Sequence, residues 1–382
     1  MRYYLIAGEA SGDLHTSNLM KALRELDPEA EFRYWGGELM QAQGGTLVKH
    51  YKDTAFMGGW DVLMNINTIR KNFKLCQEDI LAFRPDVLIL VDYAGFNLRM
   101  AKFAQAHDLN VYYYIAPKVW AWNRKRVHKL KAYVDRMFTI LPFETKFFQS
   151  YGIEVEYSGN PVLDAIHNRK NKDEAFDTFL GRNHQLDQRP KVALLAGSRK
   201  SEIKYVLPDM LKMVEKYPDF QFVIAGAPSF SYEEYKPFIE GRDVAVVFDQ
   251  TYELLQQARV ALVTSGTATL ETALLNCPQV VCYKMWGGVV SDFIAKKILI
   301  KVPYISLVNL ILEKEAVIEL FQADFSLEKL ETELGDLLTE SPRQREMMGD
   351  YEELHRRMGD PGSSYKTADL MLKALKQSNK KK

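Results

Sequence analysis

Residues 86–91 read DVLILV, one aspartate followed by an uninterrupted apolar run. A strand that is apolar on both faces needs cover on both faces, the condition of a central strand in a parallel sheet flanked by helices. The run stops at Asp92-Tyr93-Ala94-Gly95-Phe96-Asn97, and a helix-favouring segment at 98–106 follows. The same order recurs. Residues 3–7 lead through Gly8-Glu9-Ala10-Ser11-Gly12-Asp13 into a helix ending near Leu26, and residues 32–35 lead to Gly36-Gly37. Residues 111–115 and 136–141 continue the rhythm. The stretch 168–189 is polar, charged and poor in β-branched residues, which marks it as a linker. Beyond it strands are expected at 191–195, 220–225, 244–248, 260–263 and 279–283, with helices between them. The expected fold class is α/β, with two Rossmann-like domains facing a cleft. One spans residues 1–168 and the other 190–344, which suits a chain of 382 residues, too long for one core. Past about residue 325 strand signals stop. The helical tail breaks at Pro361-Gly362-Ser363-Ser364, so a returning helix at about 345–382 is expected to cross back to the first domain.

Open α/β sheets gather ligands at the carboxyl ends of their strands, so the turns there carry the functional argument. Residues 260–263 end in Thr264-Ser265-Gly266-Thr267 and a helix begins at once. A strand, a small-residue turn and a helix N-terminus together favour an anion. Glu271, close behind, can accept hydrogen bonds from ribose hydroxyls beside a bound diphosphate. Residues 192–195 end in Ala196-Gly197-Ser198-Arg199, which sets a guanidinium beside a second such turn. Together the two turns suggest a nucleotide diphosphate held between neighbouring loops. A plainer reading stands beside this one: Thr267 and Glu271 cap and charge-match a helix. Asp92 is placed either to act as a general base or to cap the next helix. Ser11 and Asp13 stand in a strand–loop–helix opening that is not GxGxxG, so they are candidates for substrate contact or for N-capping.

Fifty basic residues balance fifty acidic ones, which leaves no global field for a polyanion and argues against a nucleic-acid partner. Attraction to an anionic surface must be local. The one strong candidate is Trp120 and Trp122 followed by Arg124, Lys125, Arg126, His128, Lys129 and Lys131. This segment suits an anionic lipid surface, and beside that stands a solvated helix face with tryptophans turned to the core. The amino-terminal MRYYLIAGEASGD has too short an apolar run for a signal peptide. The apolar region 289–312 is interrupted by Asp292, Lys296, Lys297, Lys301 and Pro303, so no membrane span is expected. Cys76, Cys277 and Cys282 are odd in number and unclustered, which fits a reducing compartment. The expected location is cytoplasmic, peripherally associated with the inner face of the cytoplasmic membrane.

Nine segments in order carry a resemblance. They are AGEASGD at 7–13, MGGWDVL at 57–63, RPDVLILVDYAGFN at 84–97, APKVWAWNRKRVHKL at 116–130 and LPFE at 141–144. GNPVLDA at 159–165, LLAGSRKSEI at 194–203, TSGTATLE at 264–271 and VPYISLVNLIL at 302–312 complete the set. On these the chain resembles the lipid A disaccharide synthases, inverting hexosyltransferases of the two-Rossmann-domain GT-B class. The resemblance implies transfer of a 2,3-diacylglucosamine unit from UDP-2,3-diacylglucosamine to the 6-hydroxyl of 2,3-diacylglucosamine 1-phosphate, giving a β-1,6 tetraacyl disaccharide 1-phosphate and UDP. It implies Asp92 as general base, Arg199 on the donor diphosphate, and Glu271 on the ribose. Ser265, Gly266 and Thr267 would form the phosphate-binding turn, and Asn309 would be a donor-side asparagine. No metal or cofactor is implied, and the chain has no DxD motif of the kind metal-dependent glycosyltransferases use. Some similar enzymes are homodimers, a point these residues leave open.

The chain also departs from the family pattern. Gly95 stands where a second aspartate is frequent, Lys118 where serine is frequent, and residues 33–38, RYWGGE, replace a glycine-and-proline version. These departures bear on the acceptor and acyl pocket. Two other readings remain. One is another GT-B UDP-sugar enzyme, either an undecaprenyl-linked N-acetylglucosaminyltransferase or a UDP-sugar 2-epimerase. The other is a non-catalytic nucleotide-sugar-binding protein.

Overall fold

The computed structural model describes residues 1–53, 66–121, 124–284 and 303–379. The chain forms two compact units, Met1–His167 with the residues from Asp360 onward, and Asn168–Gly359. Each is built on its own parallel sheet.

In the first unit the strands are β1 (Arg2–Ala7), β2 (Glu31–Gly36), β3 (Thr46–His50), β4 (Val87–Val91), β5 (Val111–Tyr114), β6 (Arg136–Thr139) and β7 (Glu156–Tyr157). They pair in the order β3-β2-β1-β4-β5-β6-β7. The β1–β4 pairing sets Leu5 opposite Ile89 and Ala7 opposite Val91. Side chains alternate across this sheet as the pleat demands. Tyr3, Leu5, Val87, Ile89 and Val91 enter one core, and Tyr4, Ile6, Leu88 and Leu90 enter the other. The continuous apolar run at 87–91 is therefore buried on both sides, as its sequence predicts.

The second unit holds β8 (Lys191–Leu195), β9 (Gln221–Gly226), β10 (Val244–Phe248), β11 (Ala258–Thr264), β12 (Gln279–Tyr283) and β13 (Ile318–Phe321). Their order is β10-β9-β8-β11-β12-β13, again with every pairing parallel. Strand order reverses between β1 and β4 in one sheet and between β8 and β11 in the other. These are the two topological switch points, where the crevice beyond the strand ends takes ligands.

β3 and β13 are absent from the sequence-based expectation. Both are edge strands, and neither is an unbroken apolar run: β3 reads TLVKH and is nowhere fully buried, while β13 carries Glu319. Edge strands lose the two-sided burial that makes a central strand legible.

The carboxyl-terminal helix Ser363–Asn379 returns to the first unit, leaving the preceding helix Pro342–Met358 in the second. Its Ala368, Met371, Ala374 and Leu375 join the core beside Leu19, Met20 and Leu23 of helix Ala10–Leu26. A buried carboxylate fixes where it starts. Asp164 accepts from the backbone N–H groups of Gly362 at 2.5 Å, Ser363 at 3.1 Å and Ser364 at 2.7 Å. Helix N-terminal N–H groups lack intrahelical partners, so this long-range cap replaces one the local sequence does not provide. Gly159, with φ of +102°, brings the 158–160 turn close, and a Cβ there would sit 3.1 Å from Ser363. Asp164→Ala should strand three backbone donors and lower stability by roughly 2–3 kcal/mol. Denaturant unfolding measures this, and a loss below about 0.5 kcal/mol, the level of a neutral surface change, would remove Asp164 from that role.

Candidate active site

In the first unit the site is organised by the turn after β4. Asp92 and Tyr93 are consecutive non-glycine residues in the left-handed region, with φ of 43° and 42°. Each such residue costs on the order of 1 kcal/mol or more, so the surroundings must impose the shape. Asn97 does much of this. It is fully buried, and its Nδ2 donates to the carbonyls of Asp92 at 3.0 Å and Val91 at 3.1 Å. The buried Tyr113 hydroxyl donates to the same Asp92 carbonyl, and Asp92 N donates to Ile115 O at 3.2 Å. The N-cap position of helix Ala94–Gln105 falls to Tyr93, one residue beyond Asp92. The Tyr93 ring stacks on Phe96 at 5.5 Å and lies over Gly8, where a Cβ would come within 2.3 Å of the ring. Glycine is thus required at position 8 for the loops after β1 and β4 to meet. Gly95 has open space around it.

Ser11 and Asp13 turn out differently from each other. Both lie inside helix Ala10–Leu26, whose N-cap is Glu9, so neither caps it. Ser11 is exposed at the carboxyl edge of the sheet. Asp13 is buried, and its carboxylate accepts from the N–H groups of Gly37 at 2.7 Å, Leu39 at 3.0 Å and Met40 at 3.1 Å. It anchors the turn into helix Glu38–Ala42, and in this structure its oxygens are engaged with backbone, not presented for substrate. The 33–38 segment is likewise bound into the unit. Arg33 pairs with Asp79 at 2.5 Å, and Trp35 Nε1 donates to Tyr4 Oη at 3.1 Å.

The aromatic and basic segment divides. Trp120 is buried, and its Nε1 donates to Glu144 Oε1 at 3.1 Å. This corrects the expectation that Trp120 faces a lipid surface. A buried indole N–H needs an acceptor, and the buried Glu144 carboxyl needs donors, which it also finds in Ile140 N and Leu141 N. Burial pushes the Glu144 carboxyl up to about 7 despite those donors. Trp122 lies outside the described residues, as does the 57–63 motif. Arg124 and Lys125 are exposed on a short 3₁₀ turn, with Arg126 partly covered. In helix Val127–Tyr133 the face bearing Val127 and Leu130 enters the core, while Lys129 and Lys131 stay outside. No described helix is long and apolar enough to cross a membrane.

In the second unit the two predicted turns flank the switch point between β8 and β11. At the end of β8, Gly197 has φ of +109°, and Arg199 is the N-cap residue of helix Lys200–Met210. Glu202 Oε2 accepts from Ser198 N at 2.9 Å and Arg199 N at 3.2 Å, which engages these two backbone donors of the turn. The guanidinium of Arg199 is half-exposed and lies 3.3 Å from Glu202 Oε1.

The turn after β11 is built otherwise. Gly266, with φ of 147°, is the N-cap residue of helix Thr267–Leu274, and no side chain caps that helix. Thr267 is therefore the first helical residue, not its cap. Ser265 Oγ donates to Ile305 O at 3.0 Å, which ties the turn to the segment at 305–309. That segment is held in turn by Glu319, a residue sequence reasoning missed. Its carboxylate accepts from Ile305 N at 2.9 Å, Ser306 N at 2.8 Å and Asn309 Nδ2 at 2.9 Å. Asn309 is fully buried, and its amide also exchanges hydrogen bonds with Val317 N and O. The structure thus gives Asn309 a positioning role behind the turn. Glu271 opens the second turn of the helix, and its Oε1 accepts from Tyr252 Oη at 2.8 Å. Among the described residues no group of three or more histidine, cysteine or acidic side chains could hold a metal ion. The three cysteines are buried and reduced, with thiols pushed up by burial.

Solved structures share this architecture. A UDP-GlcNAc 2-epimerase from Neisseria meningitidis bound to UDP-GlcNAc superposes with a TM-score of 0.70 at 14% identity, covering 98% of this chain and 100% of that one. The glycotransferase of kitacinnamycin superposes with a TM-score of 0.59 at 15% identity, covering 97% of each chain. Likeness at that identity speaks for the fold alone, and the GT-B architecture expected from sequence is the one observed. Sequence relatives are more specific. A lipid-A-disaccharide synthase from Geobacter sulfurreducens is 34% identical over 381 residues, 98% of this chain and 97% of that protein. Another, from Myxococcus xanthus, is 35% identical over 385 residues, with 98% and 97% covered. The family model described as lipid-A-disaccharide synthetase matches residues 3–374. The chain belongs to the lipid-A-disaccharide synthase family of glycosyltransferases.

Proposed function

We propose that this lipid-A-disaccharide synthase joins UDP-2,3-diacylglucosamine to 2,3-diacylglucosamine 1-phosphate, with Asp92 as the general base. The first unit, Met1–His167 with the returning tail, would hold the acceptor, and the second would hold the nucleotide sugar. The observation that carries the reading is the pair of left-handed residues at 92–93, locked by Asn97 and Tyr113 at the carboxyl end of a central strand. Strain of this kind persists where a side chain must be aimed. Inversion requires in-line attack by a hydroxyl that is losing its proton, and one placed carboxylate is sufficient for that step. The departing UDP gains negative charge, which the Arg199 guanidinium and the uncapped helix N-terminus at Ser265, Gly266 and Thr267 would stabilise. Glu271 would accept from the ribose hydroxyls. Ser11, exposed beside the Asp92 loop, is proposed as a substrate contact, whereas Asp13 and Asn309 support backbone around the two sites.

The acceptor and donor are both acylated, so the enzyme must draw them from a membrane. Arg124, Lys125 and Arg126 are proposed to hold the chain to the anionic inner face of the cytoplasmic membrane, each cation contributing roughly 1 kcal/mol.

Asp92→Asn should lower kcat by about 10²–10⁴-fold while UDP affinity, measured by calorimetry, stays within about twofold. Equal loss of both would make Asp92 a structural residue. Replacing Arg124, Lys125 and Arg126 together with glutamine should reduce partition onto phosphatidylglycerol vesicles by at least about tenfold at low salt, with the gap closing as salt rises. Unchanged partition would return these cations to an ordinary solvated face.

A further inference from the structure

Tyr252 is the second residue of helix Thr251–Gln257, which runs directly into β11, the strand whose end opens the 265–267 turn. Its hydroxyl reaches across to the next helix and donates to Glu271 Oε1 at 2.8 Å. Both side chains are half-buried, and Glu271 Oε2 receives no hydrogen bond from the described residues. A phenol has one proton to give, so the arrangement occupies one carboxylate oxygen and leaves the other as an acceptor.

We infer that Tyr252 is a positioning residue for recognition of the nucleotide's ribose, holding Glu271 ionised and oriented so that Oε2 accepts from a ligand hydroxyl. This rests on the reading of Glu271 as the ribose-binding carboxylate. Burial raises the Glu271 carboxyl above its ordinary range, and the Tyr252 hydroxyl opposes that rise. The other charges acting on the tyrosine are Arg169, which eases its ionisation, and Glu253, which opposes it. Helix Thr267–Leu274 itself has no acid in its first turn and no base in its last. A hydroxyl binds an ionised carboxylate about twice as strongly as a neutral acceptor. Without the phenol the carboxyl titrates at higher pH, so as pH falls the ionised acceptor is lost sooner than in the wild type.

The test is calorimetric binding of UDP and of 2′,3′-dideoxy-UDP to wild type, Tyr252→Phe and Glu271→Ala, from neutral to mildly acid pH. Tyr252→Phe should weaken UDP binding by about 5–10-fold at neutral pH, the gap widening as pH falls, with no change for the dideoxy probe. Glu271→Ala should weaken UDP binding and leave UDP with the same pH dependence as the dideoxy probe, whose diphosphate titrates alike. If Glu271→Ala binds UDP as the wild type does, the ribose reading fails and the role of Tyr252 falls with it. If Glu271→Ala weakens UDP but Tyr252→Phe matches wild type at every pH, the inference alone is overturned. Equal weakening of both probes by Tyr252→Phe would also overturn it, since that is the signature of a distorted fold.

Discussion

The structure depends on one recurring interaction, a carboxylate accepting backbone N–H groups that neither sheet nor helix can pair. Asp164 starts the returning helix, Asp13 fixes the 37–40 turn, and Glu144 holds residues 140–141. Glu202 closes the turn after β8, and Glu319 holds the segment behind the turn after β11. A buried N–H left unpaired costs about 1–3 kcal/mol, so each of these carboxylates determines a loop conformation. The helix opened by Gly266 and Thr267 has no side-chain cap, a condition it shares with helix Ala94–Gln105 after β4.

The β4 turn solves the same problem with the opposite polarity. There the groups needing partners are carbonyls, and Asn97 and Tyr113 supply donors to them. The result is a backbone conformation that Asp92 would not adopt unaided. The proposed role of Asp92 as the base on one hydroxyl would depend on aim, and two consecutive left-handed residues stand at this turn. In the second unit the arrangement is layered. Asn309 donates to Glu319, Glu319 holds residues 305–306, and Ile305 O anchors Ser265, so the turn after β11 is supported from behind.

Much of this was legible in the sequence. The doubly buried strands announced two parallel sheets, the break at 361–364 announced the returning helix, and small residues at strand ends located both switch-point turns. What escaped depended on partners far along the chain. Asp13 reads as a local cap until the fold brings residues 37–40 to it, and Asp164 meets its helix almost two hundred residues later. Glu319 sits on a short edge strand whose apolar run it breaks, and Tyr252 precedes its partner by 19 positions. An indole beside a run of cations reads as interfacial or as core, and the buried acceptor that decides for the core at Trp120 lies 24 residues away. Spacing rules report neighbours on one element; they do not report which polar groups topology will bring together.

The reaction proposed for this chain is glycosyl transfer between two acylated glucosamines. The decisive assay supplies the purified protein with UDP-2,3-diacylglucosamine and 2,3-diacylglucosamine 1-phosphate in the presence of EDTA and follows products by mass spectrometry. A β-1,6-linked disaccharide 1-phosphate should form, with UDP released in equal amount. Hydrolysis or epimerisation of a simple UDP-sugar, with no disaccharide formed, would rule that reaction out.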